Sequence, residues 1–333
     1  MSKRRWLDII LLACSVVFSL LILELAVRFY MFGGAALSYT KLSGLHSLGH
    51  SGLLRPSEFQ DVLYELRPGL ETSYKLHPFR TTADSLRDHD YPQTKPPGTR
   101  RFVVLGDSLT MGSGIAIEDA YHSVLERRLS ESTGTPHEFI NFGVSGYYLT
   151  QYLATLRHKA LAWDPDVVLI GFYHNDRRVP PRDKFSVPYK VKPVHNGFFK
   201  MHSFDLADDA WKYGILYRGR RSKRSVEEQA RIDAKQRPYV DATFSEFREL
   251  LEPLGIPIVL VHLNNRPIEA GWVETLAHKH GFVFVDTTPA FEGTYLMDYS
   301  VLPTDRHPNA AANLLFADTI EAALTQAGLL AVP

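Results

Sequence analysis

Five short apolar runs, each followed by a stretch with helical spacing, set the strongest limit on what this chain can fold into. Residues 102–105, Phe-Val-Val-Leu, end in Gly106, and runs at 138–142, 166–172, 256–263 and 282–286 repeat the form. Helical periodicity fills the intervals at 117–131, 149–162, 241–254 and 268–280, and a last helix at 310–327 follows Pro308. Apolar runs this short, bounded by turn residues, read as buried strands. Strands that alternate with helices imply a parallel sheet covered on both faces, with ligands at the carboxyl ends of its strands.

The amino terminus follows a different pattern. Lys3, Arg4 and Arg5 precede fifteen uncharged residues, 9–23, and Glu24 is followed by a second apolar run to Phe32. From Trp6 to Val27 the segment reaches the roughly 20 residues a membrane helix needs, if Asp8 and Glu24 lie at the two interfaces. Trp6, Phe29 and Tyr30 then fall where an aromatic belt is expected, and the basic cluster stays cytoplasmic by the positive-inside rule. An uncleaved anchor over 1–32 is the expectation. A cleaved signal ending near Gly33-Gly34-Ala35-Ala36 and a buried soluble helix are the alternatives. Leu11-Leu12-Ala13-Cys14 faintly resembles a lipoprotein cleavage box, but the apolar run continues well past it.

Residues 33–99 are irregular, rich in Gly, Pro, Ser and His, and close with Lys95-Pro96-Pro97-Gly98. They read as a stalk and small cap with room for a hairpin, ahead of a catalytic domain at 100–333. That domain carries an insertion at 177–238 holding 16 Lys/Arg against 7 Asp/Glu, densest at 217–224. It reads as a solvated loop or as a lid for anionic lipid or glycan. The whole chain balances 37 basic against 37 acidic side chains, which gives no support for a nucleic-acid partner. Cys14 is the single cysteine, so an internal disulfide or a cysteine-based zinc site is excluded.

The chemistry gathers at the strand exits. Gly106-Asp107-Ser108-Leu109 puts a serine at the end of the first strand. A serine hydroxyl becomes a nucleophile only with a histidine to take its proton and a carboxylate to orient that histidine. Asp305 and His307, between the fifth strand and the last helix, supply both. Acyl transfer also needs donors aimed at the developing oxyanion. The second exit offers Gly143, in Asn141-Phe142-Gly143-Val144-Ser145-Gly146. The third offers the amide of Asn175, and the Ser108 N–H is a further donor. Asp107 and Asp176 read as orienting loop backbone. Gly106–Gly114 lacks the Gly-Lys-Ser/Thr of a phosphate-binding loop. His278 and His280 fall on different helix faces, so no metal or other cofactor is expected.

These four ordered blocks resemble the GDSL, or SGNH, hydrolase superfamily across residues 101–320. The resemblance implies a flavodoxin-like three-layer α/β/α fold with a five-stranded parallel sheet in order 2-1-3-4-5. It implies ester hydrolysis through an acyl-serine intermediate on Ser108, with His307 as base and Asp305 as its partner. Ser108, Gly143 and Asn175 would form the oxyanion hole. Two positions depart from the family pattern: Tyr173 replaces a glycine two residues before Asn175, and Thr304 stands where an aspartate often lies three before the histidine. Asp305, two before, is the substitute. The expected protein is an extracytoplasmic, membrane-anchored esterase of a bacterial envelope, acting on an acylated small molecule, lipid or glycan. An O-acyltransferase or acetylesterase for envelope polysaccharide, and a noncatalytic glycan- or lipid-binding module, are the alternatives.

Overall fold

The computed structural model describes residues 3–45, 52–178, 197–209, 226–264 and 271–331. The apolar start is one helix, α1 (Lys3–Phe32), and a short α2 (Tyr39–Ser43) follows it. Two antiparallel hairpins come next, β1 (Leu54–Pro56) with β2 (Tyr64–Leu66), and β3 (Glu71–Tyr74) with β4 (His77–Arg80). This irregular segment is packed rather than free-standing. Leu53, Tyr64, Leu66 and Phe79 are buried in one cluster with Val103 and Ile140 of the sheet.

The βα series then runs through β5 (Arg100–Gly106), α3 (Tyr121–Thr133), β6 (His137–Asn141), α4 (Leu149–His158) and β7 (Val167–Phe172). After α5 (His202–Asp209) it continues with α6 (Val226–Leu251), β8 (Ile258–His262), α7 (Trp272–Lys279) and β9 (Val283–Asp286). A hairpin of β10 (Ser300–Leu302) and β11 (Asp305–Pro308) leads into α8 (Ala310–Gln326), which Asn309 caps by accepting the Ala312 N–H. The five parallel strands stand in the order β6-β5-β7-β8-β9, which is the expected 2-1-3-4-5.

Alternation along β5 explains the three layers. Val103 and Leu105 point into a core shared with α4 and α6, whereas Phe102 and Val104 face α3 and α8. On α6, Val240, Phe244, Phe247 and Leu251 are fully buried at helical spacing. That helix begins earlier than its periodicity predicts and runs through Pro238. The proline marks where the helix leaves the core, because residues 230–239 are exposed or only half-buried. The densest basic stretch of the insertion, 217–224, lies outside the described residues.

Two glycines shape the rim where the central strands end. Gly106 and Gly171 are register partners on β5 and β7. A Cβ on Gly106 would lie 2.0 Å from Thr110 Oγ1, and one on Gly171 would lie 2.4 Å from the same atom and 3.0 Å from Tyr121 Oη. Their bareness lets the turn after Ser108 fold back over the sheet. Gly171→Ala is expected to cost about 1–3 kcal/mol through overpacking. A denaturant midpoint equal to wild type would contradict that.

Candidate active site

The position expected for the nucleophile, Ser108, is built by its neighbours. Ser108 directly follows β5 and Asp107, whose Oδ1 accepts the Leu109 N–H at 2.9 Å. The N–H groups of Met111 and Ser113 then bond to the carbonyls of Asp107 and Ser108. Ser108 is left 8 % exposed, at the floor of a cleft of about 280 Å³.

The partners arrive from the far end of the chain on one strand. Side chains two apart on a strand share a face, so β11 presents Asp305 and His307 together. Thr304 lies in the β10–β11 turn, off that register. His307 Nε2 lies 2.9 Å from Ser108 Oγ, and His307 Nδ1 lies 2.5 Å from Asp305 Oδ1. The same Oδ1 accepts the His307 backbone N–H at 3.2 Å. This network fits the tautomer in which Nδ1–H donates to Asp305 and Nε2 accepts the serine proton.

Asp305 has a second partner that the sequence did not announce. Lys75 Nζ lies 2.7 Å from Asp305 Oδ2, 2.9 Å from Ser113 Oγ and 3.5 Å from His307 Nδ1. Lys75 and Leu76 form the two-residue turn between β3 and β4, with φ of 47° and 75°. Such turns favour Asn-Gly, because both positions are left-handed. Here the side chains override the backbone preference: Leu76 packs into a cluster with Leu302, and Lys75 reaches the carboxylate. Burial alone would raise the Asp305 pKa. The His307 hydrogen bond and the charges of His307 and Lys75 outweigh burial and hold the carboxyl well below the usual range.

A second missed residue, Arg87, braces the turn that follows Ser108. It is fully buried and donates to the carbonyls of Met111, Gly112 and Ile115, with its guanidinium 4.7 Å from the centre of the Phe79 ring. Burial lowers its pKa to about 10. Both missed cations come from the irregular segment before the sheet. Its lack of periodicity gave no register from which to place them.

Asn175 stands at the cleft after β7 and donates from Nδ2 to Asp107 Oδ2 at 3.3 Å. Asp176, behind it, accepts the Tyr152 hydroxyl at 3.0 Å and the Tyr173 N–H at 2.7 Å. Burial raises the pKa of Asp107, and burial together with the Asp107 charge raises that of Asp176 well above the usual range. Asp107 holds the Leu109 N–H and the Asn175 amide, and Asp176 holds the Tyr173 backbone. Tyr173 lines the cleft at the place where the family pattern has glycine.

Gly143 departs from expectation. Its N–H donates to Asn141 Oδ1 at 2.8 Å. A Cβ there would strike the Met111 amide and Thr110 Cγ2. The glycine is needed for close packing beneath the nucleophile turn, and its N–H is not free to meet a substrate. Among the described residues, no group of three or more His, Cys, Asp or Glu side chains could hold a metal ion.

Fold and site together define a serine hydrolase of carboxylic esters. Residues 104–198, which include Ser108 and Asn175, match the model of the GDSL-like lipase/acylhydrolase family. No curated protein matches the chain. Among solved structures it is similar to a W215I variant of Axe2, an acetyl xylan esterase from Geobacillus stearothermophilus. The two are 16 % identical over 70 % of this chain and 97 % of that one, with a TM-score of 0.42. LAE5, an α/β hydrolase from the metagenome of Lake Arreo, is 17 % identical over 70 % and 97 %, at 0.39. TesA is 14 % identical over 68 % and 99 %, at 0.41.

Proposed function

We propose that the protein is a membrane-anchored esterase whose catalytic domain lies outside the cytoplasm and works through an acyl-serine intermediate on Ser108. The observation that carries this reading is the continuous chain from Ser108 Oγ through His307 to Asp305, with links of 2.9 and 2.5 Å. His307 Nε2 takes the hydroxyl proton as Oγ attacks the ester carbonyl. The imidazolium, held by Asp305, then gives that proton to the departing alkoxide. Water, deprotonated by the same nitrogen, attacks the acyl-serine, and collapse returns the proton to Oγ and releases the acid.

The oxyanion donors in this reading are the Ser108 N–H and the Asn175 amide. The same loop that withdraws Gly143 offers Gly146 as the third. Gly146 has φ of 83° and is half-buried. Its loop is held beside the nucleophile strand by the Val144 N–H, which donates to the Gly106 carbonyl at 3.1 Å.

Location rests on α1 and its flanks. Within Arg4–Ala35 an 18-residue window has a mean hydropathy of 2.7, and the helix is long enough to cross a bilayer. Lys3, Arg4 and Arg5 cluster at its amino-terminal end, which favours a cytoplasmic amino terminus. The test is turnover of short-chain p-nitrophenyl esters by the full chain in detergent, with and without glycan acceptors. Release of free acid that acceptors leave undiminished supports an esterase. Diversion of the acyl group to the acceptor would make the protein a transferase.

Lys75 tunes this chemistry as a positioning residue. The charges near His307 include Asp305 on its own strand, Lys75 from the β3–β4 turn, Asp107 beside Ser108 and Arg306 in the cleft lining. The Lys75 cation helps hold the Asp305 carboxyl in its charged form. In Lys75→Met the Asp305 carboxyl loses a charge that holds it ionised, so the acid limb of the kcat/KM profile is expected to move to higher pH. Lys75→Arg should keep the limb in place. A Met variant that loses rate equally at every pH would reduce Lys75 to a structural prop.

A further inference from the structure

The point at which α1 stops being bare decides how the domain sits. Residues 4–23 are exposed without a break. Twenty residues at 1.5 Å each span about 30 Å, the thickness of a bilayer's hydrocarbon core. At Glu24 the helix joins the domain. Glu24 accepts the N–H groups of His202 and Ser203, each at 2.9 Å, and so caps the start of α5. Arg28 donates to the carbonyls of Phe198 and Lys200 at 2.5 and 3.0 Å. Val27, Met31 and Phe32 are buried against Leu42, Leu76, Val301 and Leu302.

At this same level large apolar side chains face outward. Phe199 is 75 % exposed, Phe204 68 % and Tyr39 55 %, with Met201 beside them. The Tyr39 ring lies 6.3 Å from that of Phe199, and the hydrogen bonds of Glu24 and Arg28 hold 198–203 against α1. Leu25 and Phe29 are exposed on the free face of the helix. Exposed aromatics in a group are costly in water and characteristic of the lipid headgroup region.

We propose that Tyr39, Phe199, Met201 and Phe204, together with Leu25 and Phe29, form a collar that docks the domain on the bilayer α1 enters. The proposal rests on the anchor reading above. It also defines a substrate class. The cluster that receives α1 contains Leu76, next to Lys75, and Leu302, the register partner of Asp305. Glu24 to Phe32 rises about 12 Å, so the hairpins that carry Lys75, Asp305 and His307 are seated close above the lipid surface. An ester borne by a molecule resident in the same leaflet is the substrate this placement serves.

The experiment uses the full chain in nanodiscs of mixed zwitterionic and anionic lipid, with Cys14→Ser and a nitroxide-labelled cysteine at 199, 204 or 254. Leu254 is the control, 57 % exposed in the turn after α6. Labels at 199 and 204 are expected to relax more with oxygen than with an aqueous nickel chelate, and the label at 254 the reverse. Aqueous behaviour at all three positions would overturn the collar. In a second arm, Phe199→Glu/Phe204→Glu should lower kcat/KM on a long-chain ester in the bilayer by at least about ten-fold. A soluble short-chain ester should be turned over at the wild-type rate. Equal rates for the variant and wild type on the bilayer ester would overturn the substrate class. Absence of all ester turnover would sink the esterase reading, and label depth would still decide the collar.

Discussion

Ser108→Ala is expected to lower kcat for ester hydrolysis by about 10³-fold or more, with little change in thermal stability. Among the described residues Ser108 Oγ hydrogen-bonds to His307 Nε2, and the side chain lies at the cleft rather than in the core. Loss of the hydroxyl therefore removes the proposed attacking atom without opening a cavity. Residues that act as a unit are not additive. The double variant Ser108→Ala/His307→Ala should thus fall little further than Ser108→Ala alone. Steady-state turnover beside a denaturation curve checks both points. A fall in rate matched by a collapse of the fold would leave the nucleophile assignment without support.

The second large effect separates Asp305 from Thr304. Asp305→Asn is expected to lower kcat by about 10²–10⁴-fold, because an amide does not stabilise the imidazolium and can favour the wrong tautomer. Thr304→Ala should stay within about three-fold, since Thr304 lies in the turn and its hydroxyl carries no charge for His307. The double variant Asp305→Ala/Lys75→Met adds a test of coupling. Removing Asp305 alone strands the Lys75 cation 3.5 Å from His307 Nδ1. Deleting both should therefore recover part of the loss, read as a nonadditive cycle. Equal losses at positions 304 and 305 would contradict the assignment of the orienting carboxylate.

Much of this architecture was legible in the sequence, for identifiable reasons. The five strands announced themselves because parallel strands are buried on both faces and need uninterrupted apolar runs. The same burial fixed which loops share a rim, so Ser108, Asn175 and His307 could be brought together from residues 67 and 132 positions apart. The two-residue spacing of Asp305 and His307 acquires its meaning from β11. On a helix those side chains would diverge, whereas on a strand they align.

What was not legible depends on tertiary register. Gly143 stands in a plausible loop, but no spacing tells which N–H of that loop is spent on Asn141. Lys75 lies 230 residues before Asp305, in a turn whose residues are unfavourable for its backbone. Glu24 reads in one dimension as a charge at a membrane edge. In the fold it caps α5 and marks where the bare helix ends. The helix expected at 241–254 starts instead at Val226 and runs through Pro238, on the side away from the core.

The central claim, an acyl-serine at Ser108, is tested most directly by intact-mass and peptide mapping of the full chain after reaction with a fluorophosphonate. One adduct on Ser108, absent from Ser108→Ala and strongly slowed in His307→Ala, is the predicted result. Stoichiometric labelling of any other residue, or a folded and unlabelled chain that still hydrolyses esters, would contradict it.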